Sequence, residues 1–103
     1  MVITPLTNNH KKHLRGLGHT LSPLVLIGKE GVSTTLIGSI EDGLQAHELI
    51  KVKMGKGCLL DKKETAQSIT AQTGSSLVQL IGKTMLFYRP NPDNPNSISL
   101  QLP

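Results

Sequence analysis

Aromatic residues and cysteines are scarce in this sequence, and each shortage excludes a class of function. Aromatic side chains make up 2% of the 103 residues, Phe87 and Tyr88 being the two, and there is no tryptophan. A surface on which nucleic-acid bases stack against several aromatic rings is therefore excluded. Cys58 is the only cysteine, so the chain can form neither an intrachain disulfide nor a cysteine cluster for zinc. We expect a protein of a reducing compartment.

Long apolar runs and early acidic residues are also missing. No apolar run approaches the length of a membrane-spanning helix, and Met1–Pro5 lacks the charged-then-apolar pattern of a signal peptide. We therefore expect a cytoplasmic protein. The first 29 residues contain no acid, and the chain has 11 basic against 7 acidic residues, a net charge of +4 and a pI near 9.5. This balance favours a polyanionic partner, which is RNA, DNA or an acidic membrane surface.

A Gly-x-x-Gly loop is the most specific local feature. Gly28, Lys29, Glu30 and Gly31 lie between an apolar run, Leu24–Ile27, and a helical pattern at residues 32–48. Glycines let a phosphate approach the backbone, and the following helix N-terminus favours an anion. A plain turn is the alternative, and the Glu30 carboxylate repels phosphate. We expect the loop to be exposed, so that bulkier residues at either glycine leave the domain folded.

Two groups of basic residues are further candidates for phosphate contact. Lys11, Lys12 and Arg15 share a predicted helix that Thr7 caps and that runs to about His19. Lys51 and Lys53 alternate with apolar residues on a predicted strand, so they share one of its faces. A solvated helix face and the polar side of a half-exposed strand are the alternatives.

The periodicities predict a single α/β domain with the order α-β-α-β-α-β-β. The remaining elements are strands at Leu24–Ile27, Leu49–Met54, Leu77–Ile81 and Met85–Tyr88 and a helix opened by Asp61 and Glu64 and closed by Gly74. We expect a four-stranded mixed sheet with packed helices, in which crossovers join parallel neighbours and a hairpin adds an antiparallel pair. The unbroken apolar character of the first strand predicts an interior position.

The chain divides at its last predicted strand. Residues 1–90 form the predicted domain, and residues 91–103 form a tail rich in proline and asparagine. We expect this tail to be dispensable for folding. Ile98, Leu100 and Leu102 alternate, so an added edge strand at Ser97–Leu102 stays an open alternative.

No catalytic constellation is found. Gly82, Lys83 and Thr84 end like a phosphate-binding P-loop, but Leu77 stands where the first glycine of that motif belongs. His10 and His13 have a metal-binding spacing without an evident third ligand. We expect no enzyme activity, no metal and no cofactor.

Several segments together resemble the CRM (chloroplast RNA splicing and ribosome maturation) domain in its stand-alone bacterial, YhbY-type form. These segments are residues 14–19, 28–31, 47–53, 73–74, 78–83 and 86–90, in order within residues 8–90. The resemblance implies a fold similar to the C-terminal domain of bacterial translation initiation factor 3, with Gly28, Lys29, Glu30 and Gly31 as a KH-like loop on the RNA-binding surface. It also implies association with precursors of the large ribosomal subunit.

The functional expectation is a non-enzymatic RNA-binding protein in assembly of the large ribosomal subunit. Its partner would be precursor ribosomal RNA, bound through phosphates, sugars and shape because aromatic residues are few. We expect a monomer with no membrane partner. The alternative is a protein-interaction adaptor on the ribosome that does not recognise RNA directly.

Overall fold

The computed structural model of the protein describes residues 7–91 and residue 93. The predicted order α-β-α-β-α-β-β is confirmed. The elements are α1 (Asn8–Gly18), β1 (Val25–Ile27), α2 (Thr34–His47), β2 (Leu49–Met54), α3 (Lys62–Thr73), β3 (Ser76–Ile81) and β4 (Thr84–Tyr88). Within this described part of the chain, no helix is both long and apolar enough to cross a bilayer.

The sheet has four strands in the order β1-β2-β4-β3 and is mixed, as predicted. β1 pairs with β2 in parallel, and β4 pairs antiparallel with both β2 and β3. The expectation of parallel neighbours is therefore right for the crossover through α2. It is wrong for the crossover through α3, because β4 inserts between β2 and β3.

β1 lies at an edge of the sheet, so its predicted interior position is wrong. Val25 and Ile27 are buried, whereas Leu24 and Leu26 are 52% and 62% exposed. The periodicity of an apolar run cannot distinguish a strand covered on both faces from an edge strand that keeps leucines in solvent.

The helix starts follow the capping chemistry in the sequence. The side chains of Thr7, Ser33 and Asp61 each accept a hydrogen bond from the backbone N–H three residues later, at 3.0–3.1 Å. Gly74 ends α3 in the left-handed conformation, with φ 66°.

Helices cover both faces of the sheet. One core lies beneath α2 and α3 and includes Ile40, Ile50, Val52, Ile69 and Phe87. The other lies beneath α1, where it joins Leu14 to Leu49, Val78, Leu86 and Tyr88. Because adjacent residues of β2 and β4 enter different cores, the sheet forms the middle layer.

A partly buried polar network holds the chain that follows β4. Glu48 is fully buried at the end of α2, with φ 65°, and its carboxylate accepts a hydrogen bond from the Asn91 N–H at 2.6 Å. The Arg89 guanidinium donates to the Glu41 carboxylate at 2.7 Å and to the Thr73 carbonyl at 2.8 Å. The fold therefore engages the chain as far as Asn91, one residue beyond the predicted boundary. The predicted strand at Ser97–Leu102 lies outside the described residues.

Candidate nucleic-acid interface

The Gly-x-x-Gly segment forms a tight turn between β1 and α2. The Gly31 N–H donates to the Gly28 carbonyl at 3.1 Å, and the Ser33 N–H donates to the Gly31 carbonyl at 3.1 Å. The helix begins at Thr34 rather than at Val32, because Ser33 takes the N-cap position.

The two glycines have different environments. A Cβ built on Gly28 would have no heavy atom within 4 Å, whereas one on Gly31 would lie 2.7 Å from Leu60 Cδ1. Gly31 is also buried and has φ 66°. The expectation that the whole loop is exposed is therefore wrong for Gly31, where an added side chain carries a cost in stability. Gly28 is exposed and has open space beside it.

The N-terminus of α2 adds hydrogen-bond donors beside this turn. The Leu36 N–H is satisfied by Ser33 Oγ at 3.1 Å, and the Ile37 N–H by the Ser33 carbonyl at 3.0 Å. The N–H groups of Thr34 and Thr35 lie in the first turn, where a helix supplies no backbone acceptor. Both threonines are exposed. These amides and the positive end of the helix dipole suit an anion.

Lys29 is exposed and its stem lies against Gly57, where a Cβ would stand 3.0 Å from Lys29 Cγ. Within residues 7–91 and 93, the salt bridge present is Arg89 to Glu41 at 2.7 Å. Lys29 therefore has no salt bridge there, and its ammonium is available to an anion. Glu30 is exposed in the same loop.

The other candidate lysines and the arginine lie around α1 and the sheet face that α1 covers. Lys12, Arg15 and Lys53 are exposed, and Lys11 and Lys51 are half-buried. Lys51 and Lys53 share their face of β2 with Leu49, which packs beneath α1. The structure therefore brings the two predicted basic groups onto one side of the sheet. Lys53 pairs with Leu26 of β1, so this basic residue lies beside the strand that leads into the Gly-x-x-Gly turn.

A cavity of about 530 Å³ separates the end of α1 from β1 and β2. Leu17, Leu21 and Leu24 line it together with Lys51. Of the leucines on and just after α1, Leu14 is buried, whereas Leu17 and Leu21 are 37% and 38% exposed.

Sequence reasoning missed the contact between the Gly-x-x-Gly turn and the β2–α3 loop, residues 55–61. The Gly55 N–H donates to the Ile27 carbonyl at 2.8 Å, and Leu60 packs on Gly31. A contact between residues so far apart in sequence has no signal in local pattern.

Comparisons with known proteins agree with this fold and composition. The family model described as the CRS1 / YhbY (CRM) domain matches residues 6–89. The Bacillus subtilis protein named "Probable RNA-binding protein YqeI" is 38% identical over 89 residues, which are 86% of this chain and 93% of that protein. A Haemophilus influenzae protein named "RNA-binding protein" is 35% identical over 101 residues, 98% of each chain. The solution structure of SAV1595 from Staphylococcus aureus is 38% identical, with a TM-score of 0.77 over 96% of this chain and 100% of that chain.

Proposed function

The chain belongs to the CRS1/YhbY (CRM) domain family, and on this premise we propose that it binds precursor ribosomal RNA and acts in assembly of the large ribosomal subunit. The names of its relatives support RNA as the partner. The ribosomal target is the narrower part of the proposal, and it rests on the family resemblance.

The observation that carries the proposal is the open space at Gly28 beside the exposed Lys29 and the first turn of α2. An RNA phosphate at Gly28 meets a cation and two backbone N–H donors without obstruction from a Cβ. The carboxylate of Glu30 opposes this attraction, so backbone donors and Lys29 must together outweigh it.

The basic side of the sheet supplies a second area of contact in this proposal. Lys11, Lys12 and Arg15 on α1 and Lys51 and Lys53 on β2 give charge to neutralise further phosphates. Such contacts position RNA without reading its bases, which agrees with the two aromatic residues being buried in the sheet. We propose a monomer that works in the cytoplasm, without a catalytic step.

A second candidate is a protein-interaction adaptor on the ribosome, and the exposed Leu17, Leu21 and Leu24 around the cavity are the observation that favours it. The salt dependence of binding distinguishes the two functions. RNA binding releases counterions from the RNA, and because this release is less favourable at higher salt, the affinity falls steeply as salt rises. An apolar contact with a protein does not weaken in this way.

Lys29→Gln tests the proposal, with Gln72→Glu as its matched control. Both changes lower the net charge by one, but Gln72 is exposed in the last turn of α3, at the opposite end of that helix from the β2–α3 loop. Fluorescence anisotropy with a large-subunit ribosomal RNA fragment should show about three- to tenfold weaker binding for Lys29→Gln and a salt slope shallower by up to about one unit. The control should stay within about twofold of wild type, since long-range charge alone is weak at physiological salt.

Equal affinities of wild type and Lys29→Gln would remove the turn from the RNA-binding site. Crosslinking in cell extract, followed by sequencing of the bound RNA, tests the ribosomal target separately. Recovery of RNA without enrichment of large-subunit precursors would contradict the assembly role.

A further inference from the structure

The β2–α3 loop is held in place at several points along its seven residues. Gly55 donates its N–H to the Ile27 carbonyl, and the Cys58 N–H closes a turn on the Gly55 carbonyl at 3.1 Å. Cys58 is 5% exposed and packs in the core beneath α2 and α3. Asp61 caps α3. The loop is therefore built onto the domain, and it lies directly beside the Gly-x-x-Gly turn.

Two contacts join this loop to the Gly-x-x-Gly turn. Leu60 packs on Gly31, in the space that a Cβ would take, and Gly57 makes room for the stem of Lys29. A Cβ on Gly57 would lie 3.0 Å from Lys29 Cγ and 3.7 Å from its Cε. The absence of a side chain at Gly57 therefore leaves room for the Lys29 stem in this conformation.

Leu59 follows the buried Cys58 and is itself 95% exposed. Cys58 holds the backbone before Leu59 and the Asp61 cap holds it two residues later, so Leu59 loses little backbone entropy when it contacts a ligand. A fully exposed leucine on an anchored loop is well placed to cover an apolar surface that a ligand brings.

We propose, on the basis of the RNA-binding function proposed above, that the β2–α3 loop forms the RNA-binding site together with the Gly-x-x-Gly turn. Gly57 positions Lys29 on the phosphate at Gly28, and Leu59 covers the face of an unpaired base next to that phosphate. Every base has an apolar face, so this contact does not depend on sequence. It supplies base contact that the two buried aromatic residues cannot.

Charge favours RNA over a protein as the occupant at Leu59. Lys56 in the loop and Lys62 and Lys63 just after it are exposed, as is Lys29 across from it. The one acid within the loop, Asp61, already accepts the Glu64 N–H at 3.0 Å. These four lysines outnumber the three exposed acids of the same segments, Glu30, Asp61 and Glu64, so the charge near Leu59 favours a base attached to a phosphate chain.

Leu59→Ser tests the base contact, with Ile81→Ser as its control. Ile81 is 63% exposed and lies on β3, at the opposite edge of the sheet from β1. The probes are a labelled single-stranded oligouridylate and the same ribose-phosphate chain without bases, and thermal unfolding checks that each variant is folded.

Leu59→Ser should bind oligouridylate about fivefold more weakly, from the apolar area left uncovered, with an unchanged salt slope. It should bind the abasic chain as wild type does, and Ile81→Ser should match wild type on both probes. Equal binding of oligouridylate by Leu59→Ser and wild type, while Lys29→Gln still binds weakly, would overturn the base contact and leave the RNA function standing. That result would instead favour a contact between Leu59 and a protein partner. Failure of wild type itself to bind RNA would overturn both proposals.

Gly57→Ala tests the positioning of Lys29. It should weaken oligouridylate binding in the wild-type background and have no effect in Lys29→Ala, because the two changes act through one contact. Equal losses in both backgrounds would show that Gly57 acts on the fold and not on Lys29.

Discussion

Gly31→Ala should destabilise the domain, whereas Gly28→Ala should not, although both glycines belong to one four-residue turn. Gly31 has φ 66° and Leu60 Cδ1 at 2.7 Å from the position of an added Cβ. Gly28 has open space there. The comparison separates the two reasons for which a glycine can be needed, namely the backbone of the fold and access for a ligand.

The size of the effect follows from three contributions. An L-residue in the left-handed region costs about 1–2 kcal/mol. Displacement of Leu60, which is 49% exposed and can rotate away, adds about 0.5 kcal/mol in lost burial. Alanine lowers the conformational entropy of the unfolded chain, which stabilises the folded state by about 0.4–1 kcal/mol. The net destabilisation is about 1 kcal/mol or slightly more, which lowers the Tm of a domain of this size by about 4–8 °C.

Thermal unfolding followed by far-ultraviolet circular dichroism measures both variants. Gly28→Ala should stay within about 2 °C of wild type, since no contact or strained φ is involved. Adding Leu60→Ala removes the clash, so Gly31→Ala should cost less in that background. Unchanged stability of Gly31→Ala, or an equal loss for Gly28→Ala, would refute this account of the turn.

Two further predictions concern α1 and the end of the chain. Neutralising Lys11, Lys12 and Arg15 one at a time should weaken binding of different RNAs by similar factors and flatten the salt slope by up to about one unit each. A loss confined to one RNA sequence would indicate base readout instead. A chain ending at Asp93 should keep its Tm, whereas one ending at Pro90 should lose about 5 °C, because the buried Glu48 carboxylate loses the Asn91 N–H. An equal Tm for the two truncations would remove Asn91 from the fold.

Local chemistry explains why most of the fold was predictable. Thr7 and Asp61 cap helices and Gly74 ends one, as their residue types indicate. The alternation of Ile50, Val52 and Met54 with Lys51 and Lys53 gave the faces of β2. Strand neighbours were harder, because the insertion of β4 between β2 and β3 is decided by tertiary packing and not by local pattern.

The candidate site was predictable only as a set of residue types. The Gly-x-x-Gly pattern and the basic groups are visible in the sequence, and the sheet brings the basic groups onto one side. The burial of Gly31, the anchored β2–α3 loop and the exposure of Leu59 depend on contacts between distant segments. Glu48 was missed for the same reason, since a charged residue at a helix end gives no signal that it is buried.

The glycines in and around the turn have different neighbours, and these neighbours limit the directions from which an RNA chain can approach. Gly31, Gly55 and Gly57 each lie against an atom of a neighbouring segment, namely Leu60, the Ile27 carbonyl and Lys29. Gly28 alone among these four faces open space. In the binding mode proposed above, a phosphate approaches at Gly28, beside β1 and the first turn of α2, and the β2–α3 loop bounds the turn at Gly31. The proposal places the base of the same nucleotide against Leu59, so it predicts that substitutions at Gly28 and at Leu59 act on different parts of one nucleotide.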